Sequence, residues 1–280
     1  MLDFRYHALS LVAVFLALGI GILLGTTIGD QLVSEANRDL SSSLRGDVTE
    51  ARREARGARE ALEDRERFIT EAFERIAGQR LRGRNVAIVA SGELPEDVES
   101  GVRDAVEDAG GEIAGIAELV PPPTLPELGE TVPRRFDGLL ANDPRTASLG
   151  RAVGRGLAAG GALPRRFADR FPERFRGDFP RSDAVAYFRD PGADRNGDQE
   201  RFEQGLIDGL RSARDPVVGV ETLDTDPTQI QFYEDRMPAS VDNVDAPGGR
   251  IALVLALDGA RGSFGYKSSA DAPLPEARGR

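Results

Sequence analysis

The longest apolar stretch of the chain is residues 8–29 (ALSLVAVFLALGIGILLGTTIG), which contains no charged residue. A helix rises ~1.5 Å per residue, so this stretch is long enough to cross the ~30 Å hydrocarbon core of a bilayer. Inside lipid, only a helix satisfies the polar backbone groups of a single segment. We therefore predict that residues 1–29 form a short cytoplasmic tip followed by one transmembrane helix.

Two other interpretations of this stretch stay open. A cleaved signal peptide has an apolar core of ~7–15 residues followed by small residues at the cleavage site. Here the apolar pattern continues through Leu23 and Leu24, beyond the candidate small residues Ala17 and Gly19. The third interpretation is a buried helix of a soluble protein. Because Arg5 precedes the span and an acidic remainder follows it, we expect a cytoplasmic N-terminus and an extracytoplasmic C-terminal domain.

Small residues recur at every fourth position of this stretch and lie along one face of the predicted helix. They are Ala13, Ala17, Gly21, Gly25 and Gly29. This spacing allows two helix backbones to approach closely in a membrane, so it favours self-association. The alternative is that glycine and alanine are simply frequent in membrane helices.

Residues 30–80 are predicted to form a helical stalk, because the segment lacks proline and its apolar residues recur at spacings of three and four. Glutamate and arginine alternate on its other faces. This pattern is typical of a coiled coil. We predict a homodimer through the span and the stalk, with stalk contacts at Leu40, Leu44, Val48, Ala55 and Leu62. The alternative is a single solvated helix folded back on the rest of the chain.

The pattern changes near residue 83. Residues 86–90 (VAIVA) and 112–120 are typical of buried strands, and an amphipathic helix that begins near Pro95 separates them. A buried strand, a helix and a second strand form a βαβ unit, so we predict a Rossmann-like parallel α/β domain over residues 83–267. Further strands are predicted at 138–141, 184–188, 217–220 and 249–257, and further helices at 147–159 and 199–211. The polar, proline-rich tail 268–280 is predicted to be disordered.

Two segments within this domain have a composition that could indicate a binding site. Arginine and phenylalanine interleave over residues 160–182, but acids are mixed among them, which favours a packed loop or a partner contact over nucleic acid. Residues 190–203 resemble a calcium loop, with Asp194, Asn196, Asp198 and Glu203 at ligand positions around Gly197. The first ligand position, however, is Gly192, so we favour a turn that caps the following helix.

The composition excludes several classes of function. A net charge of −11 argues against a nucleic-acid partner, and the absence of cysteine excludes disulfides and thiolate sites. One histidine and two methionines leave few ligands for a soft metal ion. There is no glycine-rich phosphate loop and no histidine near a candidate nucleophile. We therefore expect a protein that is not an enzyme and holds no cofactor.

Two sequence motifs in combination resemble a known family. The opening DFRYHALSLVAVFLALGIGILLG, and the later SVDNVDAPGGRIALVLAL followed by SFGY, resemble the actinobacterial family named for the mycobacterial copper transport protein MctB. The residues that carry the resemblance are Phe4, Arg5, Tyr6, His7, Val241, Asp242, Asn243, Gly249 and Arg250. The resemblance implies a role in copper homeostasis or efflux by an outer-membrane, pore-forming protein. It also implies, from some relatives, a role at the cell envelope during division.

Two functions therefore remain open. The first, implied by the resemblance, is copper homeostasis or transport across the cell envelope. The second is a non-enzymatic, membrane-anchored scaffold that presents its α/β domain to an envelope or division partner. No copper ligand of the family can be carried over to a residue of this chain, so we do not expect direct copper binding. The segment 241–243 is expected to turn into the last strand, with Asp242 and Asn243 satisfying backbone groups.

Overall fold

The computed structural model describes residues 4–119, 134–136, 143–213 and 215–276, with the surroundings of residues 4, 5, 26–43, 47 and 66 outside that description. The chain divides into two compact units, Met1–Arg65 and Glu66–Arg280. The first is helical, and the second contains the sheet.

The first helix, α1, is Phe4–Ile76, and it is continuous because no proline or other helix-breaking sequence interrupts it. Its stretch Tyr6–Gly25 has a mean hydropathy of 2.6, and none of it is buried within the chain. Among the described residues, this is the one helix long and apolar enough to cross a membrane. The helical character predicted for the span and for most of the stalk is therefore confirmed.

The second unit is built on a seven-stranded sheet with the order β3-β2-β1-β4-β5-β6-β7. The strands are β1 (Asn85–Ser91), β2 (Glu112–Glu118), β3 (Phe175–Arg176), β4 (Ala184–Arg189), β5 (Val217–Val220), β6 (Ala239–Val241) and β7 (Gly262–Phe264). Every neighbouring pair is parallel except β2 with β3, which is antiparallel. Side chains of β1 alternate between the two faces of the sheet and are buried on both. This explains why the strand sequences are continuously apolar.

Helices cover both faces of the sheet, so the molecule is a mixed α/β protein with one N-terminal apolar helix. The helices after α1 are α2 (Glu96–Asp108), α3 (Arg145–Ala159), α4 (Ala162–Arg170), α5 (Gly197–Arg211), α6 (Ile230–Glu234) and α7 (Pro247–Leu257). On one face the core includes α2, α7 and the last turn of α1, and on the other it includes α3, α4, α5 and α6. The elements predicted at 86–90, 147–159, 184–188, 199–211 and 217–220 are confirmed with shifts of at most two residues. The strand predicted at 138–141 lies outside the described residues.

The strand predicted at 249–257 is wrong, because this segment is the helix α7. Every residue from Ile251 to Leu257 is buried, so the segment shows no amphipathic period that would distinguish a helix from a buried strand. Pro247 occupies the first turn, where its missing N–H is not needed and its fixed φ favours a helix. The two alanines and three leucines that follow are strong helix formers.

Helices α3 and α5 pack with their backbones in close contact through two pairs of glycines. A Cβ on Gly150 would lie 2.1 Å from the carbonyl oxygen of Phe202, and one on Gly154 would lie 2.1 Å from that of Leu206. The contact is reciprocal, because a Cβ on Gly205 would lie 2.0 Å from the carbonyl oxygen of Ala147. Each helix therefore needs glycine at four-residue spacing to accept the other.

Two further segments differ in how they compare with their expectations. The arginine- and phenylalanine-rich segment is packed, with Phe167 on α4, Phe175 on β3 and Phe179 after β3 all buried in the core. The tail consists mostly of turns and bends through residue 276, and it contacts the segment around β7. Ala272 forms a β-bridge with Phe264, and the Asp271 carboxylate accepts a hydrogen bond from the Ser263 N–H at 3.0 Å. Residues 277–280 lie outside the description, so the disorder predicted there stays a prediction.

Candidate functional site

The surface of α1 up to residue 65 is the first candidate site, because its described apolar side chains are exposed. The side chains of Leu44, Val48 and Leu62 are 53%, 48% and 55% exposed. These three residues lie on one face of the helix at spacings of four and fourteen residues, together with the exposed Ala55. Apolar side chains in such a row usually pack against another surface.

The small residues of the span are equally uncovered. Ala13 and Ala17 are exposed, and a Cβ on Gly21 or Gly25 would meet nothing within 4 Å. Gly29 and Leu40 lie within α1 but outside the residues whose surroundings are described. The predicted association face is therefore available in the single chain, and whether a partner occupies it stays a prediction.

The N-terminal part of the family motif lies in the first two turns of α1. Tyr6 is 76% exposed, and His7 is also exposed. Phe4 and Arg5 belong to the same helix, but their side chains are outside the description. An exposed tyrosine beside an apolar stretch is typical of a residue at the membrane interface.

The C-terminal part of the motif holds the segment after β7 in place. Val241 ends β6, and the fully buried carboxylate of the next residue, Asp242, accepts hydrogen bonds from the N–H groups of Tyr266 and Lys267, each at 2.9 Å. Gly265 has a φ of +144°, and a Cβ there would lie 1.8 Å from the Asp242 carboxylate. The expectation that Asp242 satisfies backbone groups is therefore confirmed, although the turn after it leads into α7 and not into a strand.

The remaining motif residues join β6 to α7 and α2. A Cβ on Gly249 would lie 1.8 Å from the carbonyl oxygen of Asn243, so only glycine allows α7 to approach this turn. Arg250 forms a 2.9 Å ion pair with Asp104 on α2. The Asn243 Oδ1 atom is buried and has no hydrogen-bond partner among the described residues. These contacts join β6 to α7, α2 and the segment after β7, so the motif residues 241–243, 249 and 250 form a structural clasp.

A buried ion pair next to this clasp was not predicted from the sequence. Glu221 follows β5 and is fully buried, and its carboxylate accepts hydrogen bonds from Lys267 Nζ, Thr228 Oγ1 and the Gln229 N–H, each at 2.6 Å. Lys267 is the only lysine of the chain, and it also donates to the Thr225 carbonyl. Two features of the sequence could have indicated this ion pair: the chain has a single lysine, and an acid directly follows a buried strand.

A second buried cluster lies at the carboxyl end of β4. The Glu203 carboxylate accepts hydrogen bonds from Tyr187 Oη at 2.9 Å and Arg189 Nε at 3.2 Å, and it lies 3.5 Å from Arg195 Nε. Burial raises the pKa of the Tyr187 hydroxyl well above its ordinary value, and the negative charge of Glu203 raises it further. Tyr187 is therefore a hydrogen-bond donor that stays protonated.

Arg195 fills the position where sheets of this kind usually admit a ligand. Strand order reverses between β1 and β4, and ligands of open parallel sheets bind outside the carboxyl ends of strands at such a point. Here the Arg195 guanidinium donates to the carbonyls of Ser91, Asp190 and Ala193 at 2.8–3.0 Å. The side chain of the protein itself thus occupies this crevice.

The residues of the candidate calcium loop have other roles. Asn196 caps α5, because its side chain accepts from the N–H groups of Asp198 and Gln199, and Gln199 in turn accepts from the Asn196 N–H. Glu203 belongs to the buried cluster described above. The predicted capping turn is confirmed. In the part of the chain that the structure describes, no group of three or more histidine, cysteine, aspartate or glutamate residues is arranged to hold a metal ion.

Comparisons with known proteins identify the family. The profile described as "Copper transport outer membrane protein, MctB" matches residues 1–192 of the chain. Proteins named "Copper transporter MctB" from Mycobacterium bovis and Mycobacterium tuberculosis are each 29% identical to it over 119 residues. The aligned part is 42% of this chain and 38% of the length of each relative. Because the profile covers more than half of the chain, this protein belongs to the MctB family.

Proposed function

We propose that the chain is a single-pass membrane protein that contributes to copper homeostasis or copper transport across the cell envelope. Membership of the MctB family supports the copper role. The observation that carries the membrane role is the uncovered stretch Tyr6–Gly25, with a mean hydropathy of 2.6. In this proposal the N-terminus is cytoplasmic, and the Rossmann-like α/β domain is extracytoplasmic.

In this proposal the chain contributes to copper homeostasis or transport without itself binding copper ions. Copper ions prefer thiolate, thioether and imidazole ligands, and the chain has no cysteine, two methionines and one histidine. His7 lies beside the apolar stretch and the two methionines are Met1 and Met237, of which Met237 is buried. A partner protein of the envelope would then supply the ligands, and this chain would position that partner.

Deletion of the gene tests the copper role. We expect lower copper tolerance and altered cellular copper content, both restored by the full chain and by a chain with His7→Gln. Restoration by His7→Gln is expected because the proposal assigns no copper ligand to this residue. Copper tolerance and content that are unchanged by deletion would exclude the copper role. Restoration by the wild-type chain but not by His7→Gln would exclude the indirect mechanism.

We propose as a second candidate that the chain is a non-enzymatic scaffold that forms a homodimer through the span and a coiled-coil stalk. The half-exposed row Leu44, Val48 and Leu62 favours it, because a second copy of α1 would bury this row. The alanines between these positions make the stalk interface weak by itself. Two spans that associate in the membrane would raise the effective concentration of the two stalks.

Single cysteines test the homodimer in native membranes, because the chain has no cysteine of its own. We expect that Leu44→Cys, Val48→Cys and Leu62→Cys each form an intermolecular disulfide on mild oxidation. Glu60→Cys is the matched control, because residue 60 lies on the opposite face of α1. Equal crosslinking at residues 60 and 62 would exclude a paired stalk. Affinity capture from crosslinked membranes tests the partner, and recovery of no envelope protein would count against a scaffold.

A further inference from the structure

A pocket of about 510 Å³ opens beside the carboxyl end of β4, between the first turns of α5 and the short helix α6. Its lining includes Arg189, Glu200, Arg201, Glu203, Phe232 and Arg236. The volume is in the range of pockets that hold small organic molecules, ~300–1,000 Å³. Neither the proposed copper role nor the proposed dimerisation through α1 assigns a function to this pocket.

Two guanidinium groups are held in place on one aromatic ring in this pocket. Arg189 and Arg236 lie 4.3 Å and 4.2 Å from the centroid of the Phe232 ring. Arg189 also donates to Glu203 and to Gln229 Oε1, and Arg236 donates to the Phe232 carbonyl at 3.2 Å. These contacts fix both arginines before any ligand arrives, which lowers the entropy cost of binding.

The buried charges next to the pocket do not balance. The side chains of Arg189 and Arg195 are 19% and 9% exposed, and both lie against the single carboxylate of Glu203, which is 5% exposed. Two buried cations therefore share one buried anion. Backbone carbonyls satisfy the N–H groups of Arg195 but supply no compensating charge. A surplus charge in a poorly hydrated site is costly unless a counter-ion joins it.

Other carboxylates near the pocket offset part of this surplus. Arg236 lies 3.7 Å from Asp235, but that carboxylate is 72% exposed, and Glu200 is also exposed. Arg201 pairs with Asp198, whose side chain is 17% exposed, and the half-buried Asp190 carboxylate accepts from the neutral Gly192 N–H, which leaves its charge in place. The exposed carboxylates of Glu200 and Asp235 are screened by water and salt, so these two contribute less than the buried ones. The lining of the pocket itself carries three guanidinium groups and two carboxylates, within a chain whose net charge is −11.

We propose that this pocket binds a small organic anion. Its carboxylate or phosphate group contacts the guanidinium groups of Arg189 and Arg236, which match the geometry of such groups. The α5 N-terminus at Gly197 adds a favourable partial positive charge at the rim.

Calorimetric titration of the detergent-solubilised full chain tests the proposal, with inorganic phosphate and succinate as probes at constant ionic strength. We expect saturable binding of at least one probe. Arg236→Gln should weaken that binding about tenfold or more, since a charge-assisted hydrogen bond is lost. Arg236 is suited to this test because its removal leaves the buried Glu203 cluster intact. Arg166→Gln, which removes an exposed arginine on α4 outside the pocket, should leave the affinity unchanged.

The ratio of the two probes identifies the anionic group, and tighter binding of succinate assigns a carboxylate. Circular dichroism verifies that each variant is folded, and Arg236→Met replaces Arg236→Gln if the latter is not. The proposal is overturned if neither probe binds saturably at concentrations up to about 10 mM, which would mean a dissociation constant weaker than the millimolar range. It is also overturned if the Arg166→Gln variant loses as much affinity as the pocket variant.

Discussion

Asp242 shows how one buried carboxylate can determine the sequence around it. Its two oxygens accept the N–H groups of Tyr266 and Lys267, and this contact leaves no room for a side chain on Gly265. The aspartate and the glycine were both recognised in the sequence as part of a motif. Their interaction was not predictable, because 23 positions separate them and only the parallel pairing of β6 and β7 brings them together.

Replacement of Gly265 by alanine should destabilise the α/β unit by about 3 kcal/mol or more, since a left-handed φ and a collision with Asp242 act together. Chemical denaturation followed by circular dichroism measures the effect. Gly259→Ala is the matched control. Gly259 has a φ of +108° but open space around it, so we expect only the backbone strain, about 1 kcal/mol. Equal losses in the two variants would contradict the role of Asp242.

The ion pairs of Glu99 predict a pH dependence. Burial raises the pKa of Glu99, but hydrogen bonds and charges from Arg176 and Arg103 lower it by more, so the net pKa is below its ordinary value. An acid with a lowered pKa in the folded state stabilises the fold above its unfolded pKa, ~4.3. That contribution is lost as the pH falls through the lowered folded value.

Arg176→Met should therefore cost up to about 1 kcal/mol at pH 7, a small effect because the Arg176 side chain is 42% exposed. The difference from wild type should shrink toward zero below pH ~4. Denaturation midpoints measured from pH 3 to pH 7 provide the comparison. Arg174→Met, at a neighbouring exposed arginine, should show no such trend. A constant deficit across this range would argue that Arg176 acts through packing alone.

At the scale of elements, amphipathic segments were predictable and uniformly buried ones were not. Helix α5 has one polar face and a capping residue, and its sequence identified both. Helix α7 has almost no polar face, so its apolar residues fitted a strand equally well. The contact of α3 with α5 was missed as well, although both helices carry glycines four residues apart. That spacing was interpreted in the apolar stretch 8–29 but not in residues 145–211.

The close approach of α3 and α5 predicts opposite results for two glycines of the same helix. Gly205→Ala should destabilise the α/β unit by about 2–4 kcal/mol, because the new methyl group would meet the Ala147 backbone and separate the helices. Gly197→Ala should be neutral or stabilise by up to about 1 kcal/mol, since its nearest neighbour is the flexible end of Arg201 at 3.5 Å. Thermal unfolding of the two variants measures both values. Similar melting temperatures would contradict the backbone contact.

At the scale of the whole molecule, the order of the parts was predictable because composition changes sharply along the chain. An apolar stretch, a charged segment without proline and a domain of short apolar runs follow one another. The candidate sites were less predictable. The Glu203 cluster and the pocket beside it combine residues of β4, α5 and α6, and only the sheet order brings them together.

Removal of residues 2–29 should release the chain from the membrane, because the only apolar helix of sufficient length among the described residues lies there. The test is fractionation after an alkaline carbonate wash, with the full chain as control. The mass of the full chain recovered from cells distinguishes the anchor from a cleaved signal, since cleavage would remove the span. A truncated chain that stays in the membrane fraction would contradict the role of this helix.

The reactivity of Lys267 can report how often the loop after β7 opens. Lys267 carries the only side-chain amine, and in the folded state its side chain is 14% exposed and its amine is held by Glu221. An acylating reagent should therefore modify the side chain slowly, at a rate set by how often the loop after β7 opens. Peptide mass analysis separates acylation of Lys267 from acylation of the N-terminal amine, so the time course at Lys267 would record the local opening of this one region without a mutation in the chain.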